Sequence, residues 1–202
     1  MERTLGILLA GGRGERLKLA RPKALVLLGG ETLLERARGT LRQVCDDLVV
    51  VAPADIVLPL ASGASRLLDP GEGPLGGLAA ASTAPAFARV LVLGVDFPLV
   101  RAATLTALLE RLGARRAVLP MPGGRAQPLV AAYSVEALAA LAGAFAGGER
   151  SVVRAVETLD PLRLDDAELQ ALPGGLESFL DVDTPDALAD AERRLRAAVR
   201  PS

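Results

Sequence analysis

Short apolar runs alternate with helical patterns over nearly the whole 202-residue chain. Leu5–Ala10, Leu48–Ala52, Val90–Val95 and Ala117–Pro120 read as strands, with Arg66–Leu68 a shorter extended piece. Leu129–Tyr133 reads as an edge or crossing strand, and Phe179–Val182 as a late one. Between them, Glu31–Val44 places Leu33, Leu34, Ala37 and Leu41 at helical spacing. Leu75–Ser82, Ala102–Leu112, Val135–Phe145, Ser151–Val156 and Asp186–Val199 read as further helices. This alternation predicts an α/β fold with a mostly parallel sheet covered on both faces, its crossovers right-handed. One domain over 1–202 is expected from the length. In such sheets ligands sit at the carboxyl ends of the strands, where the strand order reverses.

The first strand runs into Leu8-Leu9-Ala10-Gly11-Gly12-Arg13-Gly14-Glu15-Arg16-Leu17-Lys18-Leu19-Ala20-Arg21-Pro22-Lys23. Three glycines let backbone N–H groups approach a ligand with no Cβ in the way. Consecutive N–H groups form an anion-binding nest, and Arg16, Lys18, Arg21 and Lys23 add full positive charge. A polyphosphate is the ligand that needs both; a plain surface turn is the competing reading. Two familiar phosphate loops are excluded. Lys23 is followed by Ala24, not by the Ser or Thr of a Walker loop, and lies far from Gly14. Gly12-Arg13-Gly14 has Leu17 where the dinucleotide fingerprint needs a third glycine.

Composition narrows the chemistry. The chain has no His, which removes His-based acid–base catalysis and His metal sites. A formal net charge of −1 with only 2% aromatics argues against nucleic acid as a partner. Cys45 is the one cysteine, so no internal disulfide forms, which suits the cytoplasm. No leader and no apolar run near membrane length is expected, so no membrane is involved. Only two of the 23 basic residues are lysines, Lys18 and Lys23, and both lie in the opening loop, which is expected to be exposed.

Further candidates appear later. Asp96 follows a strand in Leu93-Gly94-Val95-Asp96-Phe97-Pro98, where a carboxylate can hold a hard cation against phosphates or serve as a turn residue. Asp69 sits before Pro70, and Gly73-Pro74-Leu75-Gly76 opens a helix whose N-terminus can face an anion. In Phe179-Leu180-Asp181-Val182-Asp183-Thr184-Pro185, strand alternation would set Phe179, Asp181 and Asp183 on one face. Two aspartates there need solvent, a partner or a metal, unless one caps the helix that follows.

Leu9-Ala10-Gly11-Gly12, Arg16-Leu17 and Lys23 match, in order, the opening signature of nucleotidyltransferases that activate a phosphate or sugar phosphate with an NTP. With the later motifs, the chain resembles the molybdenum cofactor guanylyltransferase family from Leu8 to Leu188. The resemblance implies a three-layer α/β/α, Rossmann-like nucleotidyltransferase fold. It implies Arg16, Lys23 and Asp96 as catalytic residues, and Leu9, Ala10, Gly11, Gly12, Lys23, Asp69, Gly76 and Asp96 around the nucleotide. Mg²⁺ would be held by Asp96 and Asp183, the latter standing where relatives often carry Asn. Asp69 would contact base or ribose. Gln127 and Arg150 fall in segments that line the acceptor side. GTP and the molybdenum cofactor (molybdopterin) are the implied substrates, with molybdenum cofactor delivery proteins as partners. Two departures weaken the guanylyl assignment: Pro22-Lys23 resembles the sugar-phosphate and cytidylyl branches, and the chain has no Asn after the second strand to help hold guanine. The rival readings are therefore a cytidylyl- or sugar-phosphate nucleotidyltransferase, and a non-catalytic nucleotide-binding protein.

Overall fold

The computed structural model describes residues 2–17, 21–59, 65–83 and 87–199. Lys18 of the opening loop lies outside them. In chain order the strands are β1 (Thr4–Leu9), β2 (Leu27–Leu28), β3 (Glu31–Thr32), β4 (Asp47–Ala52), β5 (Ser65–Leu68), β6 (Arg89–Gly94), β7 (Ala117–Pro120), β8 (Val130–Ser134) and β9 (Leu162–Leu164). The helices are α1 (Leu33–Arg42), α2 (Pro74–Ala81), α3 (Ala102–Leu112), α4 (Val135–Ala146), α5 (Val152–Glu157), α6 (Asp166–Gln170) and α7 (Pro185–Val199).

Seven strands form one sheet in the order β5-β4-β1-β6-β8-β7-β9. β1 pairs in parallel with β4 and with β6, and β4 with β5. β8 alone of the seven runs against its neighbours β6 and β7. The expected edge or crossing strand is thus an interior one, reversed in direction. Strand alternation divides the core. Leu5, Ile7 and Leu9 face α2, α4 and α5, where Leu75, Leu78, Leu138, Leu141 and Val156 cover them. Leu8 faces the opposite layer with Leu33, Leu34 and Leu41 of α1 and Leu105 and Leu108 of α3. Because the central strands are buried on both faces, β4 and β6 read as unbroken Val/Leu runs rather than alternating ones. The three-layer α/β/α expectation holds.

The order also explains where a ligand can sit. From β1 the chain builds outward to β4 and β5, then crosses back to β6 on β1's other side. That reversal at the carboxyl end of β1 opens the crevice predicted for this class.

Two local features matter below. The β2–β3 hairpin turns on Gly29 and Gly30, with φ of 64° and 84°, a left-handed pair that only glycine adopts without cost. Its Thr32 then caps α1 reciprocally: the Glu35 N–H donates to Thr32 Oγ1 and the Thr32 N–H to Glu35 Oε2, each at 3.1 Å. Phe179–Val182 is not a strand. A 3-10 turn spans Gly175–Phe179, and the extended residues after it join no sheet. Phe179 is buried while Asp181 is exposed, so the alternation expected of them is absent. β9 and α6, with three and five residues, are too short to leave a readable period in the sequence.

Cys45 sits against Gly6 of β1. Burial pushes its thiol up to about 12, and the Asp46 charge adds to the effect. At pH 8 almost no thiolate exists, so the native protein should react with iodoacetamide about 10³-fold more slowly than the unfolded chain. Alkylation followed by mass spectrometry checks this; equal rates would mean the thiol is accessible and ordinary.

Candidate active site

The loop leaving β1 is held on both sides. The Ala10 N–H donates to the Val51 carbonyl at 2.8 Å, and the Val95 N–H to the Leu9 carbonyl at 3.1 Å. The glycines that follow are demanded by close approach. A Cβ at Gly11 would lie 2.6 Å from Asp69 Oδ2, and Gly14 has φ +70° with Lys23 backbone against it. The Lys23 N–H donates to the Gly12 carbonyl at 3.2 Å, closing the loop at its root. The lysine stem then runs beside Gly12, at ordinary van der Waals distance from where a Cβ would stand.

Lys23 departs from the exposed loop position its sequence suggests. It is buried, only 5% exposed. Its ammonium donates a short hydrogen bond to Asp183 Oδ1 and lies 3.6 Å from Asp96 Oδ2. Arg16, far more exposed, reaches the other Asp183 oxygen at 3.6 Å. Asp96 and Asp183 therefore converge on one cation, the Lys23 ammonium. Their placement differs in kind. Asp96 follows β6 directly. Asp183 comes from the stretch between the 3-10 turn and α7, where the Val182 N–H donates to the Asp96 carbonyl at 2.8 Å. One main-chain bond registers the two carboxylates against each other. Thr184 takes the capping role on α7, accepting from the Ala187 N–H at 3.2 Å, which leaves Asp183 to the cleft.

Burial pushes the Asp96 carboxyl above its usual range, and Lys23 beside it pulls it back. Asp181, exposed at its surface, is also raised, by desolvation and then by the Asp183 charge, but it is not among the residues that line the cleft.

The cleft has a volume of ≈ 510 Å³ and is walled by Leu9, Gly11, Gly12, Arg16, Lys23, Asp69, Asp96 and Asp183. Pro53, Gly71, Gly73 and Pro74 complete the side toward β4 and β5. Asp69 is oriented by an Asx turn, its Oδ1 accepting from the Gly71 N–H at 2.8 Å while Oδ2 lies beside Gly11. Two sequence candidates stand behind the wall rather than in it. Ala10 is fully buried, with its N–H committed to Val51. Gly76 packs in α2 against Pro70 and Phe145.

Gln127, expected on an acceptor side, donates its N–H to the Pro120 carbonyl at 2.9 Å, and Leu129 rather than Gln127 lines the cleft. Arg150 is exposed but not free. It pairs with Glu72 at 2.7 Å and lies 4.4 Å over the Phe145 ring, tying the 69–74 loop to the end of α4. Arg13 is a residue the sequence reading misses, yet it bridges the loops after β1 and β4 through Asp55 at 3.0 Å. Its position between Gly12 and Gly14 was the available signal.

Chemically, the site offers a glycine loop with Asp69 also on the wall, the cations Arg13, Arg16 and Lys23, and the carboxylates Asp96 and Asp183 gathered on Lys23. The carboxylates form an oxygen-only donor pair, suited to a hard divalent cation that completes its shell with water and phosphate oxygens. Among the described residues no group of three or more His, Cys, Asp or Glu is arranged to hold a metal, so a cation here would depend on that completion. Also among the described residues, no helix is long and apolar enough to cross a membrane.

Comparison with known proteins agrees with this arrangement. Residues 6–162 match the family described as MobA-like NTP transferase domain. The molybdenum cofactor guanylyltransferase of Pseudomonas syringae pv. syringae (strain B728a) is 37% identical over 185 residues, covering 89% of this chain and 88% of that one. Molybdopterin-guanine dinucleotide biosynthesis protein A from Archaeoglobus fulgidus shares the fold with a TM-score of 0.79 at 24% identity, over 96% of this chain and 99% of that one. So does 2-C-methyl-D-erythritol 4-phosphate cytidylyltransferase from Thermus thermophilus, with a TM-score of 0.70 at 22% identity over 97% and 100%. With the phosphate-type loop, the paired carboxylates and the match over most of its length, the chain belongs to the MobA-like NTP transferase family and is a nucleotidyltransferase.

Proposed function

We propose that the protein transfers GMP from GTP to the terminal phosphate of the molybdenum cofactor and releases pyrophosphate. The observation that carries the reading is the gathering of Gly11, Gly12, Arg16, Lys23, Asp69, Asp96 and Asp183 around one cleft. An oxygen of the acceptor phosphate attacks the α-phosphorus, and the bond between α-phosphorus and the bridging oxygen to the β-phosphate breaks. The acceptor phosphate is ionised at neutral pH, so no general base is needed, consistent with a chain that has no His. Catalysis is then positioning and charge neutralisation. The Gly11–Gly14 amides, Arg16 and Lys23 hold the triphosphate. Asp96 and Asp183 would hold Mg²⁺, which supplies charge neutralisation at the reacting phosphates when bound. The acceptor enters from the Leu129 and Asp183 side, opposite Asp69 and Pro53. The reading includes a cytoplasmic location and molybdenum cofactor delivery proteins as partners, the former supported by the single cysteine.

Guanine choice rests on Asp69 and on the names of the relatives. Gly71 occupies Oδ1, which leaves Oδ2 to accept from guanine N1–H and N2–H₂ or from ribose. Main-chain groups around Val51–Pro53 do part of the reading in place of the missing Asn. A cytidylyl reading is favoured by Pro22-Lys23 and by the fold shared with a cytidylyltransferase. A panel of four NTPs with molybdenum cofactor and Mg²⁺, read by product mass, separates the two. GTP should give the dominant product, and faster turnover of CTP at equal concentration would overturn the assignment. Asp69→Ala should lower kcat/KM for GTP about 10–100-fold, the scale of one hydrogen bond to a charged acceptor.

A further inference from the structure

Among the described residues, every cation that lines the cleft is already matched by a carboxylate of the same chain. Arg13 pairs with Asp55, Arg16 with Asp183, and Lys23 with both Asp183 and Asp96. Lys23 is the extreme case. Its ammonium is buried, with one carboxylate oxygen in hydrogen-bond contact and another at 3.6 Å. A divalent cation ligated by the same two carboxylates sits about 2.1 Å from each oxygen. It would have to enter the space that the ammonium holds, against a like charge. A nucleotide triphosphate arriving alone meets the opposite problem, because the buried cation that should receive it, Lys23, is engaged and two carboxylates face it.

We infer that Lys23 is a resident counter-cation that makes metal and nucleotide bind as one cooperative event. The inference rests on the nucleotidyl-transfer reading and adds a coupling to it. When both ligands arrive, the partners exchange: the triphosphate takes Lys23 and Arg16, and the metal takes Asp96 and Asp183. The loop is built for such an exchange. The root of Lys23 is fixed by its N–H to the Gly12 carbonyl at 3.2 Å, while its stem lies along Gly12. A four-carbon stem on a fixed root can swing its ammonium from the carboxylates to the nest without moving the backbone. Arg16 is 81% exposed at its side chain and needs no such release. The metal alone should therefore bind weakly, the nucleotide alone weakly, and the two together tightly, with the same coupling factor seen from either ligand.

The test is calorimetric titration of Mn²⁺, with and without guanosine 5′-(α,β-methylene)triphosphate, on wild type and Lys23→Met. Wild type should bind Mn²⁺ at least about tenfold more tightly when the nucleotide analogue is present. Lys23→Met, which keeps the stem and removes the charge, should bind Mn²⁺ alone at least about tenfold more tightly than wild type does and should lose most of the coupling. If Lys23→Met binds Mn²⁺ alone no better than wild type while the analogue still recruits the metal to wild type, the counter-cation role is overturned and nucleotidyl transfer stands. If neither protein takes Mn²⁺ under any condition, both fall. A cycle on wild type alone guards against a variant that does not fold. Thermal shifts with Mn²⁺, with analogue and with both should be strongly more than additive, and additive shifts would overturn the coupling.

Discussion

Asp96→Asn is expected to reduce Mg²⁺-dependent pyrophosphate release by about 10³-fold or more while leaving the protein folded. Asp96 combines two properties that no other carboxylate of the cleft has. It follows directly on a central strand, and it is buried enough that its carboxyl is pushed upward. Asn preserves the shape and one oxygen but removes the charge that a hard cation requires. The stability change should stay within about 1 kcal/mol, because the cost of burying the charge disappears together with its attraction to Lys23, which keeps Asp183. Asp183→Asn should cost less, about tenfold, since an amide oxygen can still ligate and the position is half-exposed. Pyrophosphate release and thermal unfolding of the two variants check both parts. Turnover of Asp96→Asn within about tenfold of wild type would remove Asp96 from the metal site.

Lys23→Ala should lower turnover by about 10²–10³-fold, the usual scale for one charge-stabilising donor. The structure adds a second effect that an exposed loop would not have given. Removing the ammonium leaves Asp96 and Asp183 facing each other without a cation, and like charges at short range repel. Breaking a fully buried pair costs about 3–5 kcal/mol. Here the two carboxylates are 23% and 35% exposed, so about 2–3 kcal/mol is expected, as a lower unfolding temperature of the free enzyme. A variant that loses turnover but keeps full stability would mean that the carboxylates do not depend on Lys23. Turnover within about threefold of wild type would place Lys23 away from the phosphates.

The regular part of the fold was readable because its elements are long and periodic. Ala102–Leu112 and Ala117–Pro120 form with the bounds that their patterns suggest, and the central strands advertise burial on both faces as unbroken apolar runs. The residues that wall the cleft were readable for a related reason: glycine, lysine and aspartate placed after strands fall on the edge of the sheet where the crevice opens. What escaped depends on contacts distant in sequence. Phe179–Val182 has strand-like composition, yet it meets the sheet region through the Val182 N–H on the Asp96 carbonyl, a bond no local pattern encodes. The direction of β8 is equally silent, since an interior strand looks the same run either way. Lys23 reads as a solvated loop residue until Asp183 is brought against it. Gly76 belongs to a motif that suggests a ligand, but the space behind it is filled by Phe145, a residue of α4.

The contact between Lys23 and Asp183 joins positions 160 residues apart. Bringing such distant segments together is an entropically demanding closure, and it follows the local elements rather than guiding them. During synthesis the sheet through β9 can be laid down before Asp183 has left the ribosome, so the carboxylate pair is finished only when α7 seats. A partly folded or truncated chain can thus hold a glycine loop and a strand edge while lacking the means to handle a metal-bound nucleotide. Competence for chemistry is in this sense a certificate of complete folding.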